Sequence, residues 1–194
     1  MTVKAKKRGR PTKGNVTLSK EVIVENAKRL MQMDGKIPSI RRLATELNID
    51  AMAIYYYFKN KDELLEAVAV SLVEGIYLPE EGREWQQELQ QLGWSYLELL
   101  GQYPGLLETL FKMKTAGPAN VFISRFNQVI EELDLSTTEK QNAVSLLADY
   151  LHGFAFSMQF SEIDQQAKHD IYQGSITLYL KAVTPSLSSL QPAE

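Results

Sequence analysis

Apolar residues along this chain recur at intervals of three and four and almost never alternate, so the hydrophobic pattern predicts an all-α protein. A first helix is expected over residues 19–33, with Ser19 as N-cap and Ile23, Ala27, Leu30 and Met31 on one face. Asp34, Gly35 and Pro38 end it. A short second helix begins at Ser39, and a third follows after a three-residue turn. Asn60 opens a fourth, with Glu63 placed to complete a capping arrangement. Turn signals at residues 79–82, 103–105, 116–118 and 134–136 divide the remainder, with Ser136 and Glu139 as a second capping box. A last break at 161–164 precedes a final helix of roughly 20 residues, for a total of about nine.

The densest pattern is SIRRLATELNIDAMAIYYYF, residues 39–58. Ile40, Leu43, Ala44 and Leu47 form one face of a two-turn helix, and Ala44 is small where a second helix must cross closely. Asn48 falls where the chain needs a left-handed turn, which asparagine tolerates. Ile49 and Ile54 then return to the core. This is the outline of a helix-turn-helix, whose second helix enters the major groove while the first crosses the backbone. A short helical hairpin in any α-helical protein has similar spacing.

Charge sharpens that reading. The net charge of −3 conceals two opposite halves. Residues 1–61 hold 14 Lys and Arg against 5 Asp and Glu, whereas residues 62–194 hold 7 against 19. Such a split suits an N-terminal unit that meets a polyanion and a body that does not. The expected division is a basic flexible arm (1–14), a helix-turn-helix domain (15–61), a helical effector-binding and dimerisation domain (62–185) and a flexible tail (186–194). With no cysteine, no apolar run of membrane-spanning length and no signal-peptide core, the chain is expected to be cytoplasmic, and nucleoid-associated when on DNA.

The run IDAMAIYYYFKNKDELL resembles the recognition helix and following turn of the TetR family of transcriptional regulators. Ile54, Tyr55, Tyr57, Phe58, Lys61 and Leu64 match the family's hydrophobic-Tyr-x-Tyr-Phe-x-x-Lys-x-x-Leu pattern. The resemblance implies that Tyr55 and Lys61 clamp phosphates, that Ser39 caps the second helix and faces a phosphate, that Arg41 reaches a base edge, and that Arg42 holds the backbone. Tyr57 and Phe58 are expected to pack. Ala51 and Met52 offer no hydrogen bond, so they would read thymine methyls by contact. Asp50 would repel phosphate unless it accepts from a cytosine amine. Arg8-Gly9-Arg10-Pro11 resembles the core of AT-hook segments that enter a narrow minor groove. The expected DNA-facing set is Arg8, Arg10, Ser39, Arg41, Arg42, Ala51, Met52, Tyr55, Tyr56 and Lys61.

In the next-to-last helix Val144, Leu147, Leu151, Phe154 and Met158 recur at spacings of three and four, as do Tyr172, Ile176, Tyr179 and Val183 in the last. These seams suit either intrachain packing or an isologous four-helix interface between two copies, and the resemblance also implies the latter, a homodimer on a palindromic double-stranded operator. Trp94, Tyr96, Phe111, Met113, Phe122, Phe126, Phe156 and Phe160 enrich the body in large soft side chains, of which most serve as core. Trp94, Phe111, Phe122, Phe126 and Phe156 are the candidates to line a pocket for an unidentified small-molecule effector. His152 and His169 have no partner at ligand spacing, so no metal or other cofactor is expected. With no phosphate loop and no nucleophile motif, an enzyme is not expected either. The reading is a regulator, a repressor released by an effector. The alternative is an architectural DNA binder that needs none.

Overall fold

The structure, a computed structural model, describes residues 18–184; Arg8, Arg10 and the expected tail lie outside them. The described residues form nine α-helices and no strand. They are α1 (Lys20–Asp34), α2 (Ile40–Leu47), α3 (Ala51–Tyr55), α4 (Lys61–Val73), α5 (Trp85–Gln102), α6 (Leu106–Lys112), α7 (Gly117–Val129), α8 (Thr137–Met158) and α9 (Gln165–Val183). Local chemistry sets several of their ends. Ser19 accepts from the Val22 amide at 3.3 Å, and Gly35, at φ 65°, closes α1 in the left-handed region. Ser136 and Glu139 make the reciprocal box at the start of α8. At α4, Asn60 accepts from the Glu63 amide at 2.8 Å, but Glu63 reaches back to the Lys59 amide, one residue before the expected donor.

Helices α1 to α3 close around Ile23, Ala27, Leu30, Leu43, Ala44, Ile54 and Phe58, all buried. Helix α4 packs on α1 and also on α7, so it belongs to the head and the body at once. Helix α5 is the axis of the body, in contact with α7, α8 and α9. Its Leu89, Leu92, Gly93, Tyr96 and Leu100 are buried because neighbours cover it on several sides.

The seams expected to face a second copy are used inside the chain. Leu147, Leu151, Tyr172 and Ile176 are fully buried and Tyr179 nearly so, while Phe154 and Met158 are half-buried. The Tyr172 hydroxyl donates to the Gln90 carbonyl at 2.8 Å, and that of Tyr179 to the Ala143 carbonyl at 2.7 Å. Spacings of three and four report that a helix is paired, and do not say which chain supplies the partner.

Gly93 makes room for this docking. A Cβ there would lie 2.4 Å from the Tyr172 hydroxyl oxygen and 3.6 Å from Leu151. Gly93→Ala is expected to lower stability by about 1–2 kcal/mol, overpacking outweighing the gain in helix propensity. Tyr172→Phe removes one hydrogen bond and the clashing atom together, at about 1 kcal/mol. Urea unfolding of both variants and of the double variant should therefore show a combined loss smaller than the sum.

Candidate nucleic-acid interface and effector cavity

The α2–α3 unit is fixed by polar contacts at each end. Ser39 Oγ accepts from the Arg42 amide at 3.1 Å and caps α2. Asn48 adopts φ 54°, ψ 45°, so its amide turns back onto the Ala44 and Thr45 carbonyls. Asp50 caps α3, accepting from the Met52 amide at 2.7 Å. Its carboxylate therefore serves a helix N-terminus, where the dipole favours negative charge, a role the sequence reading had not assigned. Beyond the helix, the Tyr57 hydroxyl donates to the Leu18 carbonyl at 2.7 Å and Phe58 is buried, so both pack as expected.

Held this way, five-residue α3 presents one outward face at spacings of three and four. Met52 is 71% exposed, Tyr55 42% and Tyr56 87%, with Ala51 half-buried beside them. Arg41 and Lys61 are exposed, and Arg41 makes no ion pair among the described residues. Arg42 is engaged with Glu46 at 3.0 Å and Asp34 at 3.6 Å, and Glu46 also binds Arg29. Hydrogen bonds from Arg29 and then Arg42 hold the Glu46 carboxyl below its usual range. Arg42 is thus already held by two carboxylates, whereas Arg41 has no ion-pair partner among the described residues.

In the body, helices α4 to α8 line a half-open cavity of about 230 Å³. Val73, Tyr96, Phe111, Phe122, Val144 and His152 are among its walls, and no Asp, Glu, Lys or Arg lines it. Of the five aromatic candidates, Phe111 and Phe122 reach this space. Trp94 packs on the far side of α5 against His169 and Tyr172, with ring centroids 4.6 and 5.4 Å away. It borders a separate open groove of about 910 Å³ beside Phe154 and Met158. Phe126 is fully buried in the core, and Phe156 lies on the outer surface against Phe160. Composition identified an aromatic body, but the side of each helix depended on a packing that aromatic count does not encode.

The polar feature of the cavity is one pair. Tyr96 Oη and His152 Nε2 are 3.0 Å apart, and the Phe111 ring meets His152 edge-on at 5.1 Å. Burial pushes His152 below its ordinary value, partly opposed by the charge of Asp149, so the imidazole is neutral at pH 7. Burial also pushes the Tyr96 phenol up. The sequence had offered Tyr96 only as one of seven body aromatics and had set His152 aside.

Two contacts connect the cavity walls to the head. From α7, Arg125 Nη1 donates to the carbonyls of Ile76 at 2.7 Å, Tyr77 at 3.2 Å and Val73 at 3.4 Å, and Nη2 to that of Glu74 at 2.7 Å. One guanidinium thus covers the carbonyls where α4 ends. The second contact is at Gly105, φ 82°, just before α6. A Cβ there would lie 2.8 Å from the Gly35 carbonyl oxygen at the end of α1.

The family model described as "Bacterial regulatory proteins, tetR family" matches residues 23–68. The model described as "Tetracyclin repressor-like, C-terminal domain" matches residues 78–190, more than half of the chain. The chain belongs to the TetR family. It is 25% identical over 162 residues to the HTH-type transcriptional repressor DrrR1 of Streptomyces coeruleorubidus, covering 79% of this chain and 58% of that protein. The chain thus spans little more than half the length of that relative. In fold it is similar to BioQ with its double-stranded DNA operator (TM-score 0.69, 20% identity, 86% of this chain and 98% of that one). It is likewise similar to the TetR family protein ActR of Streptomyces coelicolor in complex with actinorhodin (TM-score 0.70, 17% identity, 87% and 97%).

In this TetR-family head, α3 is too short to hold itself, so its cap carries unusual weight. Asp50→Ala is expected to reduce unfolding free energy by about 1 kcal/mol, and Asp50→Asn by clearly less, in denaturant titrations.

Proposed function

We propose that this chain is a homodimeric, sequence-specific DNA-binding regulator, a repressor that leaves its operator when a small molecule enters the cavity. The observation that carries this reading is a shared helix. Helix α4 positions the exposed Met52–Tyr55–Tyr56 face through α1, and its Val73 is also a wall of the cavity. Family membership supports it, as do the name of DrrR1 and the two complexes, one with an operator and one with a small molecule.

On DNA, Arg41 reads a base edge and Tyr55 and Lys61 bind phosphates, with Ser39 and Arg42 beside them on the backbone. Ala51 and Met52 touch thymine methyls. Arg41→Ala should then relax base preference within each half-site and weaken the cognate site by roughly 1–3 kcal/mol per base contact. Tyr55→Phe should weaken all sites about equally. Fluorescence anisotropy on the operator and on single-base variants separates the two, and equal effects of both substitutions on every sequence remove Arg41 from the reading role.

The second copy docks on the outward faces of α8 and α9, opposite the seams spent inside the chain. Leu146, Ile171 and Leu178 are exposed there, and Phe160 just beyond the end of α8. Gly153 and Gly174 have nothing within 4 Å of where a Cβ would sit. Each mid-helix glycine costs about 1 kcal/mol of helix propensity, which a close helix crossing would offset. Leu178→Asp, at a 68% exposed site, should leave helicity intact and yield monomers by sedimentation at micromolar concentration. An unchanged dimer places the interface elsewhere.

A further inference from the structure

The cavity is specific enough to indicate what enters it. It has no charged wall, so a charged group that enters its buried part would lose hydration without a compensating partner. Its 230 Å³ is below the range of roughly 300–1,000 Å³ typical of drug-sized sites. An engineered apolar cavity of about 150 Å³ takes one benzene, which makes one or two rings the natural load here. Phe122 lies against Tyr96 with ring centroids 5.1 Å apart on one side, and Phe111, 68% exposed, borders the other. Between them the Tyr96–His152 pair is a concentrated source of polarity. A phenol donating to an imidazole nitrogen still has an oxygen lone pair to accept with, and the second ring nitrogen can donate.

We infer that the cavity selects an uncharged aromatic molecule of one or two rings carrying a hydroxyl or carbonyl, which bonds to the Tyr96–His152 pair while its rings lie against Phe111 and Phe122. This rests on the cavity being the effector site and adds the chemistry of the effector. Met113, half-buried at the wall, supplies an adaptable thioether surface for differing ring shapes. Ser145 and Thr115 are further neutral polar groups in the lining, so substituents beyond the first meet hydroxyls and no charge.

The test is calorimetry on the full chain without DNA, using 2-naphthol, naphthalene and 2-naphthoate. Binding is expected to be tightest for 2-naphthol, about tenfold weaker for naphthalene, which forfeits the hydrogen bond, and at least about a hundredfold weaker for the carboxylate. Tyr96→Phe and His152→Leu should each bring 2-naphthol down to the level of naphthalene and leave naphthalene unchanged. Ala119→Trp, at an exposed position on the cavity wall, fills the space without touching the core and should abolish all three. The inference is overturned if 2-naphthoate binds as well as 2-naphthol, if neither neutral probe gives heat, or if Ala119→Trp changes nothing. Because no DNA is present, this outcome is separate from the regulatory reading. A neutral probe that binds as described and leaves operator affinity unchanged sinks regulation and keeps the ligand class. A functional repressor that rejects both neutral probes does the reverse.

Discussion

The structure depends on how α4 ends. A helix leaves its last carbonyls without intrahelical donors, and α4 has no glycine C-cap to turn them back, since Glu74 remains in the right-handed region. Arg125 supplies the donors instead, reaching four carbonyls at residues 73, 74, 76 and 77 from one side chain on α7. Burial lowers the Arg125 pKa and the nearby charge of Glu74 partly restores it, so the guanidinium remains a cation facing the negative end of the helix dipole. The segment that follows is tied down as firmly. The Tyr77 amide donates to Ser95 at 2.8 Å, and buried Glu88 accepts from the Tyr77 hydroxyl at 2.9 Å and the Glu80 amide at 2.7 Å. A buried carboxylate is tolerable because each of these bonds, with Arg83 3.9 Å away, replaces water it has lost.

This clamp brings the cavity and the head within reach of each other. Pro118, Ala119, Phe122 and Ile123 of α7 line the cavity, and Arg125 lies less than one turn beyond Ile123. At the other end of α7, a Cβ on Gly117 would meet the Glu66 carboxylate at 2.8 Å and Val70 at 3.0 Å, both on α4. The two helices are therefore in close contact along their length and cannot slide without repacking. Helix α6 offers a second route, with Leu110 and Phe111 at the cavity and Gly105 against the end of α1. In the proposed regulation, a ligand acts by favouring one arrangement of these packed elements over another, a differential of about 1–3 kcal/mol in typical cases.

What the sequence revealed and what it withheld divide by distance along the chain. The caps at Ser19, Ser39, Asn60 and Ser136, the left-handed turn at Asn48 and the helix-turn-helix face are local, because each partner lies within a few residues. Asp50 belonged to the same class, yet the expectation that it would face DNA hid its role as a cap. The Arg125 bonds span 48 to 52 residues, and the Tyr96–His152 pair spans 56, so only the packed fold brings them together. The α8 and α9 seams show a third case. Their periodicity was legible and the helices are paired as it implied, but intrachain docking through Tyr172 into the notch at Gly93 uses the seam that a second copy was expected to cover.

The most direct test of the central claim, that Arg125 holds α4 for both head and body, is native-state hydrogen exchange of Arg125→Gln against the parent chain. Removing the charge and three of the five guanidinium N–H donors on a stem one methylene shorter should speed exchange at residues 72–77 and in the α1 amides that pack on α4. Protection in α8 and α9, which do not depend on this contact, should be unchanged. Unchanged protection at the end of α4, or a loss spread evenly over all helices, would contradict the account.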